Sequence, residues 1–409
     1  MTDRSRSAWP IALASTLLIQ IAVSFLSQAM SVLAPSLTEA ANVSPEQIGW
    51  LAAAVAFGTV WFLMGGTQML TDIGPIRLLQ IGVLVSSFGL LLALLGFWPV
   101  TMLAALLVGL GYGPAPPAGN QILMNTVPKE HRGLIFSIKQ SGAPIGSALA
   151  GFLLPVLANQ LGWAWALGIA AVLGGASAFL VEPVRLQLDA QQARFKWSTV
   201  GSLFSPQMVT APFRALQGSS GLKQLAYAGF AFAVVQGSIF ALFVTYLVTD
   251  LGANLSAAGA AFATMQLAGA AARIAMGWLA DRTSSPLLVI AALGIASSVT
   301  MTSMSAMQLS WGWHIILAIS ALTGFCAASW NGILMSEIAK ASPANSVGQT
   351  TSAATFFIFI GYVLGPAVFA GIVRVTASYQ VGFSFLELFP ITGSVTLYLL
   401  YRRMRRARS

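Results

Sequence analysis

The chain returns repeatedly to apolar runs of roughly twenty residues, the length a helix needs to cross the ~30 Å hydrocarbon core of a bilayer. With 57% hydrophobic and only 8% charged residues, the sequence cannot cover a soluble globule with polar surface. The period-2 alternation of a membrane β-barrel is absent. The expected fold is an all-α membrane protein of twelve transmembrane helices. They span about 10–34, 46–70, 76–97, 99–126, 133–158, 162–181, 223–249, 257–280, 285–307, 311–337, 347–373 and 379–401. The first run begins near Ile11 and lacks a small-residue cleavage site, so no cleavable signal peptide is expected.

Charge sets the orientation. The formal net charge of +9 raises the question of nucleic acid, but the distribution points to a bilayer. All Lys and Arg fall in segments expected on the cytoplasmic side, except Lys139 and Arg273 within helices and Arg374 outside. This is the positive-inside pattern, with both termini cytoplasmic in a bacterial-type inner membrane. The tail Arg402, Arg403, Arg405, Arg406 and Arg408 reads as a topology anchor touching anionic lipid. The one cysteine, Cys326, sits in an apolar run, which excludes disulfides and cysteine metal sites. No HExxH, GxSxG or GxxxxGK[ST] pattern occurs. No enzyme activity, cofactor or metal is expected, and transport would be secondary, driven by gradients.

The sequence repeats at near-constant offset. Asn42-Val43-Ser44 matches Asn254-Leu255-Ser256 at 212 residues, and Asp72 matches Asp281 at 209. Asn120-Gln-Ile-Leu-Met matches Asn331-Gly-Ile-Leu-Met at 211, with Lys129 and Lys340 following at the same distance. Gly142-x-x-x-Gly146 corresponds to Gly361-x-x-x-Gly365. Two six-helix halves related by a pseudo-two-fold axis are therefore expected: residues 1–181 and 223–409, joined by a cytoplasmic linker at 182–222 that holds Arg185, Arg194, Lys196 and Arg214. A parallel duplication with its site between the halves is a transporter architecture.

The stretch Gly269–Arg282, GAAARIAMGWLADR, ends in residues that resemble the GxLADR signature of the major facilitator superfamily. The resemblance extends over almost the whole chain and implies that fold, with gating at Asp281 and Arg282 in the second half and Asp72 in the first. The first-half copy, Gln68-Met-Leu-Thr-Asp72-Ile-Gly74-Pro75-Ile-Arg77, lacks the leading Gly and the Arg after Asp. The segment Arg273–Arg282 also resembles helix 8 of the monocarboxylate transporters and oxalate/formate exchangers, where an Arg four residues before the Gly binds carboxylate. Two departures stand out: the eleventh helix carries no second cation, and the first carries no acid.

Arg273 lies eight residues before Asp281, ~12 Å inside the membrane. A guanidinium there costs at least ~2.5–3.5 kcal/mol and normally faces water or a partner. Lys139 lies at similar depth, seven residues past Arg132. Acids are nearly absent from the helices: only Glu387 falls inside one, toward the outer end of the twelfth. An anionic substrate would supply the missing countercharge. Lysine can shed its proton when buried, so Lys139 is the better candidate for proton coupling, with Glu387 the other. Helix 4 carries Tyr112, three prolines and Asn120 mid-membrane, where irregular backbone belongs beside a cavity or inside protein. Tyr112, Asn120 and its repeat mate Asn331 are candidate carboxylate donors or packing polar groups. Gln20, Ser24, Ser27 and Gln28 form one polar stripe on the first helix, read as cavity-facing or as interhelical hydrogen-bonding residues. Gln236 on the seventh helix reads the same way. The paired glycines read as close helix packing.

The expected protein is a monomeric secondary transporter of a small organic anion, a monocarboxylate or related acid. It would work by alternating access, as a proton symporter or anion exchanger, around a site lined by helices 1, 4, 5, 7, 8, 10 and 11. Its partners are that substrate, possibly coupled to a proton, and the lipid bilayer; nucleic acid is not among them. A proton-driven exporter of amphiphilic drugs is the alternative.

Overall fold

The computed structural model describes residues 9–66, 69–128, 131–189, 201–204, 220–283, 285–342 and 347–406. Among these, twelve helices are long and apolar enough to cross a membrane: α1 Trp9–Val32, α2 Pro45–Gly65, α3 Pro75–Ala93, α4 Trp98–Thr126, α5 Ile135–Leu161, α6 Trp163–Arg185, α7 Gly221–Asp250, α8 Leu255–Arg282, α9 Pro286–Ser305, α10 Trp313–Ala341, α11 Ala353–Thr376 and α12 Tyr379–Arg406. The protein is thus an all-α, multi-pass membrane protein. Most expected helix ends fall within a few residues of these. Two do not. The second helix stops at Gly65, where a Gly65-Gly66 pair weakens it, and a short helix Met69–Ile73 follows. The last helix continues through the arginine tail to Arg406, because arginine is a good helix former and these positions are exposed. Lys129, Arg194, Lys196, Arg214 and most of the expected linker lie outside the described residues.

The chain forms two compact units, Met1–Val43 with Ala54–Met208, and Ser44–Ala53 with Val209–Ser409. In the first, α1 packs along α5, and α3 packs along α4 and α6. In the second, α7 packs along α11, α8 along α10, and α9 along α12. Small residues permit the closest approaches, as in membrane bundles generally. A Cβ at Gly142 or Gly146 would collide with Leu17, Gln20, Ile21 and Ser24 of α1; one at Gly361 or Gly365 would collide with Phe230, Ala233 and Val234 of α7. The expected packing role of these four glycines is thus visible in both units. Gly109 of α4 meets the Val55 backbone of α2, and Gly324 of α10 meets the Met265 backbone of α8, so the repeat extends to a second helix pair.

At one end of the first unit a polar cluster organises the start of α3. Gly74 has φ +95°, and a side chain there would strike the Asp189 carboxylate. Pro75 then opens the helix. Asp189, buried at 3% exposure, accepts hydrogen bonds from the backbone N–H of Ile76 (2.8 Å) and Arg77 (3.0 Å). Burial raises the Asp189 carboxyl above its ordinary value, opposed by those two hydrogen bonds and by Arg185. Beside it, Gln80 and Arg185 donate to Glu182 at 2.7 and 2.9 Å.

Candidate functional site

In the first unit the candidate residues gather at a break in α4. Its helical segments are Trp98–Tyr112 and Ala115–Thr126. Pro114, Pro116 and Pro117 have no N–H, so the carbonyls of Leu110, Tyr112 and Gly113 lose their usual donors four residues on. Lys139 of α5 projects onto this region. It is completely buried, its Nζ donates to the Ala115 carbonyl at 3.3 Å, and its Cε lies over Gly119 near Thr16. An ammonium carries three donors, and one contact at this length is modest solvation for it.

Next to the lysine lies an amide network. Gln20 of α1, 2% exposed, donates through Nε2 to the Tyr112 hydroxyl and to Ser24, both at 3.3 Å. Its Oε1, the Oε1 of Gln28 and the Oδ1 of Asn120 are buried without a hydrogen bond. For Gln20 the structure therefore shows an interhelical hydrogen bond from α1 to α4, while Ser24 is bonded within α1.

The second unit repeats the theme with different parts. α10 is broken between Trp313–Ala328 and Asn331–Ala341. Here side chains serve the exposed carbonyls: Ser329 Oγ donates to Phe325 O (2.7 Å), Trp330 Nε1 to Ala327 O (2.9 Å) and Arg273 Nε to Ala328 O (2.9 Å). A cation at a helix C-terminus also complements the macrodipole. Arg273 is half-buried, and the close contact of Gly269 with Gly324 and Ala328 brings α8 near enough for this reach.

Beside it sits a closed polar triangle. Gln236 Oε1 accepts from the Tyr362 hydroxyl (2.9 Å) and from Asn331 Nδ2 (3.3 Å), and Asn331 Nδ2 lies 3.5 Å from the Tyr362 oxygen. Tyr362 was not among the expected site residues. Its only sequence signal was a lone hydroxyl next to Gly361 on an apolar helix. Trp330, next to Asn331 and 1% exposed, packs on Phe232 in the core of this unit.

The remaining candidates lie apart from these clusters. Asp281 and Arg282 end α8, both exposed; Arg282 stacks on Trp278 with its guanidinium carbon 4.0 Å from the ring centroid, and Asp281 makes no hydrogen bond to a described residue. Asp72 is in the short helix Met69–Ile73, not at the end of a span. Glu387 stands at a discontinuity in α12, where it accepts from Thr302 Oγ1 of α9 at 2.8 Å while its backbone carbonyl accepts from Ser298.

This architecture is shared with known proteins. The profile described as Major Facilitator Superfamily matches residues 16–366, and the chain belongs to that family. It is 22% identical over 376 residues to an uncharacterized MFS-type transporter of Mycobacterium tuberculosis, covering 89% of this chain and 79% of the relative. It is 27% identical over 284 residues to a 4-hydroxybenzoate transporter of Pseudomonas aeruginosa, covering 62% of each. Other relatives are a hexuronate transporter of Bacillus subtilis, a gallate transporter of Pseudomonas putida and a 3-(3-hydroxy-phenyl)propionate transporter of Escherichia coli. Among solved structures, a bacterial homologue of the human lysosomal transporter Spinster, in an inward-facing and unoccupied conformation, shares the fold with a TM-score of 0.74 at 15% identity, covering 98% of both chains.

Proposed function

We propose that the chain is a secondary transporter of a small organic anion, an aromatic or sugar carboxylate, working by alternating access in a bacterial-type inner membrane with both termini cytoplasmic. The observation that carries this reading is the pair of span-embedded cations, Lys139 and Arg273, in spans otherwise poor in acid. Within the twelve spans every Asp and Glu except Glu387 lies within about one turn of a span end. Arg273 commits Nε to Ala328, and a guanidinium has five donors in a planar fork suited to carboxylate. Tyr112, Asn120, Gln28, Gln236 and Asn331 are the polar groups assigned to orient the substrate. The relatives that carry substrate names are transporters of hydroxylated aromatic acids or of hexuronate, which supports the same class. Asp281, Arg282 and Asp72 are assigned to gating. Proton symport through Lys139 and anion exchange are the two coupling schemes.

The test is counterflow in proteoliposomes preloaded with unlabelled 4-hydroxybenzoate, gallate, a hexuronate, a short aliphatic monocarboxylate or an amphiphilic cation. Accumulation of labelled compound is expected with at least one carboxylate and not with the cation. Counterflow of the cation alone would overturn the reading in favour of the drug exporter.

A further inference from the structure

The C-terminal end of α12 carries a feature that transport of a small anion does not use. Leu399, Arg402, Arg403 and Arg406 line a shallow hollow of about 230 Å³. Their spacing is i, i+3, i+4 and i+7, so they share one face of the helix. Toward the N-terminus the same face continues through Val395, Thr392 and Leu388, with Ile391 at its edge. Val395, Leu388 and Ile391 are 49, 53 and 38% exposed, and Leu399 is 53% exposed. The helix is continuous from Leu388 to Arg406, and its mainly apolar face, interrupted by the exposed Thr392, runs into the arginines. From Leu388 to Arg402 it measures ~21 Å, more than the half-thickness of the hydrocarbon core. No acidic residue occurs between Leu388 and Arg406. Tyr398 lies under the Arg402 guanidinium at 5.9 Å, an aromatic–cation pair near the C-terminal end of the span.

We infer that this face is a binding site for one anionic glycerophospholipid, its acyl chain along Leu388, Val395 and Leu399 and its headgroup phosphate among Arg402, Arg403 and Arg406. Charge complementarity selects the headgroup. Guanidinium forks match phosphate oxygens bidentately and are only weakly hydrated, which suits an interfacial site. The apolar track selects a lipid over a soluble phosphate or a nucleic acid, neither of which has a chain to lay along it. The site is separate from Lys139 and Arg273 in sequence and in chemistry, so it stands or falls independently of the transport reading.

Native mass spectrometry of the full-length protein released from detergent tests it, with phosphatidylglycerol and phosphatidylcholine supplied at equal concentration. Wild type is expected to retain phosphatidylglycerol over phosphatidylcholine by fivefold or more. R402Q/R403Q/R406Q should bring that ratio to about one. R405Q, which removes the same kind of charge at a position that does not line the hollow, should leave the ratio within twofold of wild type. If the triple variant does not insert, the single variants R402Q and R406Q are each expected to lower the preference about threefold. An unchanged ratio in these variants, or an equal loss in R405Q, overturns the site. So does complete displacement of the lipid by 10 mM inorganic phosphate, which would mark a free-anion site only.

Discussion

The two units solve one problem in opposite ways. Each contains a span interrupted near its middle, and each sends a long cationic side chain onto a carbonyl at the interruption. In the first unit the break is made by proline, and the cation is a fully buried lysine with a single 3.3 Å contact to Ala115. In the second the break carries no proline. Serine, indole and guanidinium each serve a carbonyl at 2.7–2.9 Å, and the arginine remains half-buried. The neighbouring polar groups follow suit. The Gln236–Tyr362–Asn331 triangle is closed, whereas Gln20 and Asn120 each keep an unmatched buried oxygen. A permanently charged, well-held arginine suits a fixed anchor for an anion. A buried lysine with little to hold its charge suits a group whose protonation changes. The duplicated frame has thus been given an unequal polar interior.

The sharpest way to break this comparison is at Arg273. Arg273→Ala should weaken carboxylate binding by two orders of magnitude or more, and Arg273→Lys by about tenfold, since charge is kept but the fork is lost. Equilibrium binding of the transported carboxylate to purified protein measures both. Wild-type affinity in a folded alanine variant would leave Arg273 as a helix cap only.

Lys139→Met sharpens the other side. Replacing a buried, poorly compensated ammonium by an apolar chain of similar volume is expected to be neutral or stabilising by about 1 kcal/mol. In proteoliposomes it should abolish uptake driven by a pH gradient while some counterflow remains. Undiminished gradient-driven accumulation would remove Lys139 from proton coupling.

A smaller effect separates the two tyrosines. Tyr362→Phe removes a 2.9 Å hydrogen bond to a 2%-exposed Gln236 and should cost about 1 kcal/mol, a drop of about one degree in Tm. Tyr112→Phe removes only a 3.3 Å acceptor from Gln20 and should cost less than half of that. Equal losses would contradict the closed-versus-open distinction.

The smallest expected effect is on pH. Asp189 is raised in the folded state, mainly by burial. A raised carboxyl favours the fold most when protonated. Its contribution is therefore present below the ordinary Asp value of about 3.9 and is lost as pH rises through the higher folded value. Asp189→Asn should flatten that part of the Tm–pH profile measured in detergent. A profile identical to wild type would mean that the two hydrogen bonds fully offset the burial.

Much of the frame could be read from residues alone, because spanning a bilayer is a local requirement: length, apolarity and flanking charge announce each helix. The glycine pairs were also legible, since only close packing explains two of them four residues apart in equivalent helices. Arg273 and Lys139 stood out because charge is rare at such depth. What could not be read was which partner each polar group takes. Gln20 meeting Tyr112, Tyr362 meeting Gln236 and Asp189 meeting the start of α3 are encounters between residues 92, 126 and 113 positions apart. No periodicity encodes them. The helical continuation to Arg406 was missed for a different reason. A string of arginines ends hydropathy but not helix propensity.

The glycine seams have a mechanical consequence. Where backbone lies on backbone, as α5 does on α1 and α11 on α7, two helices cannot slide without separating. Each pair should behave as a single strut through a transport cycle. Spin labels placed at exposed positions of α1 and α5, or of α7 and α11, should report distance distributions that stay fixed when substrate is added. Those pairs would then serve as internal rulers, against which the displacement of any other helix can be measured by double electron–electron resonance.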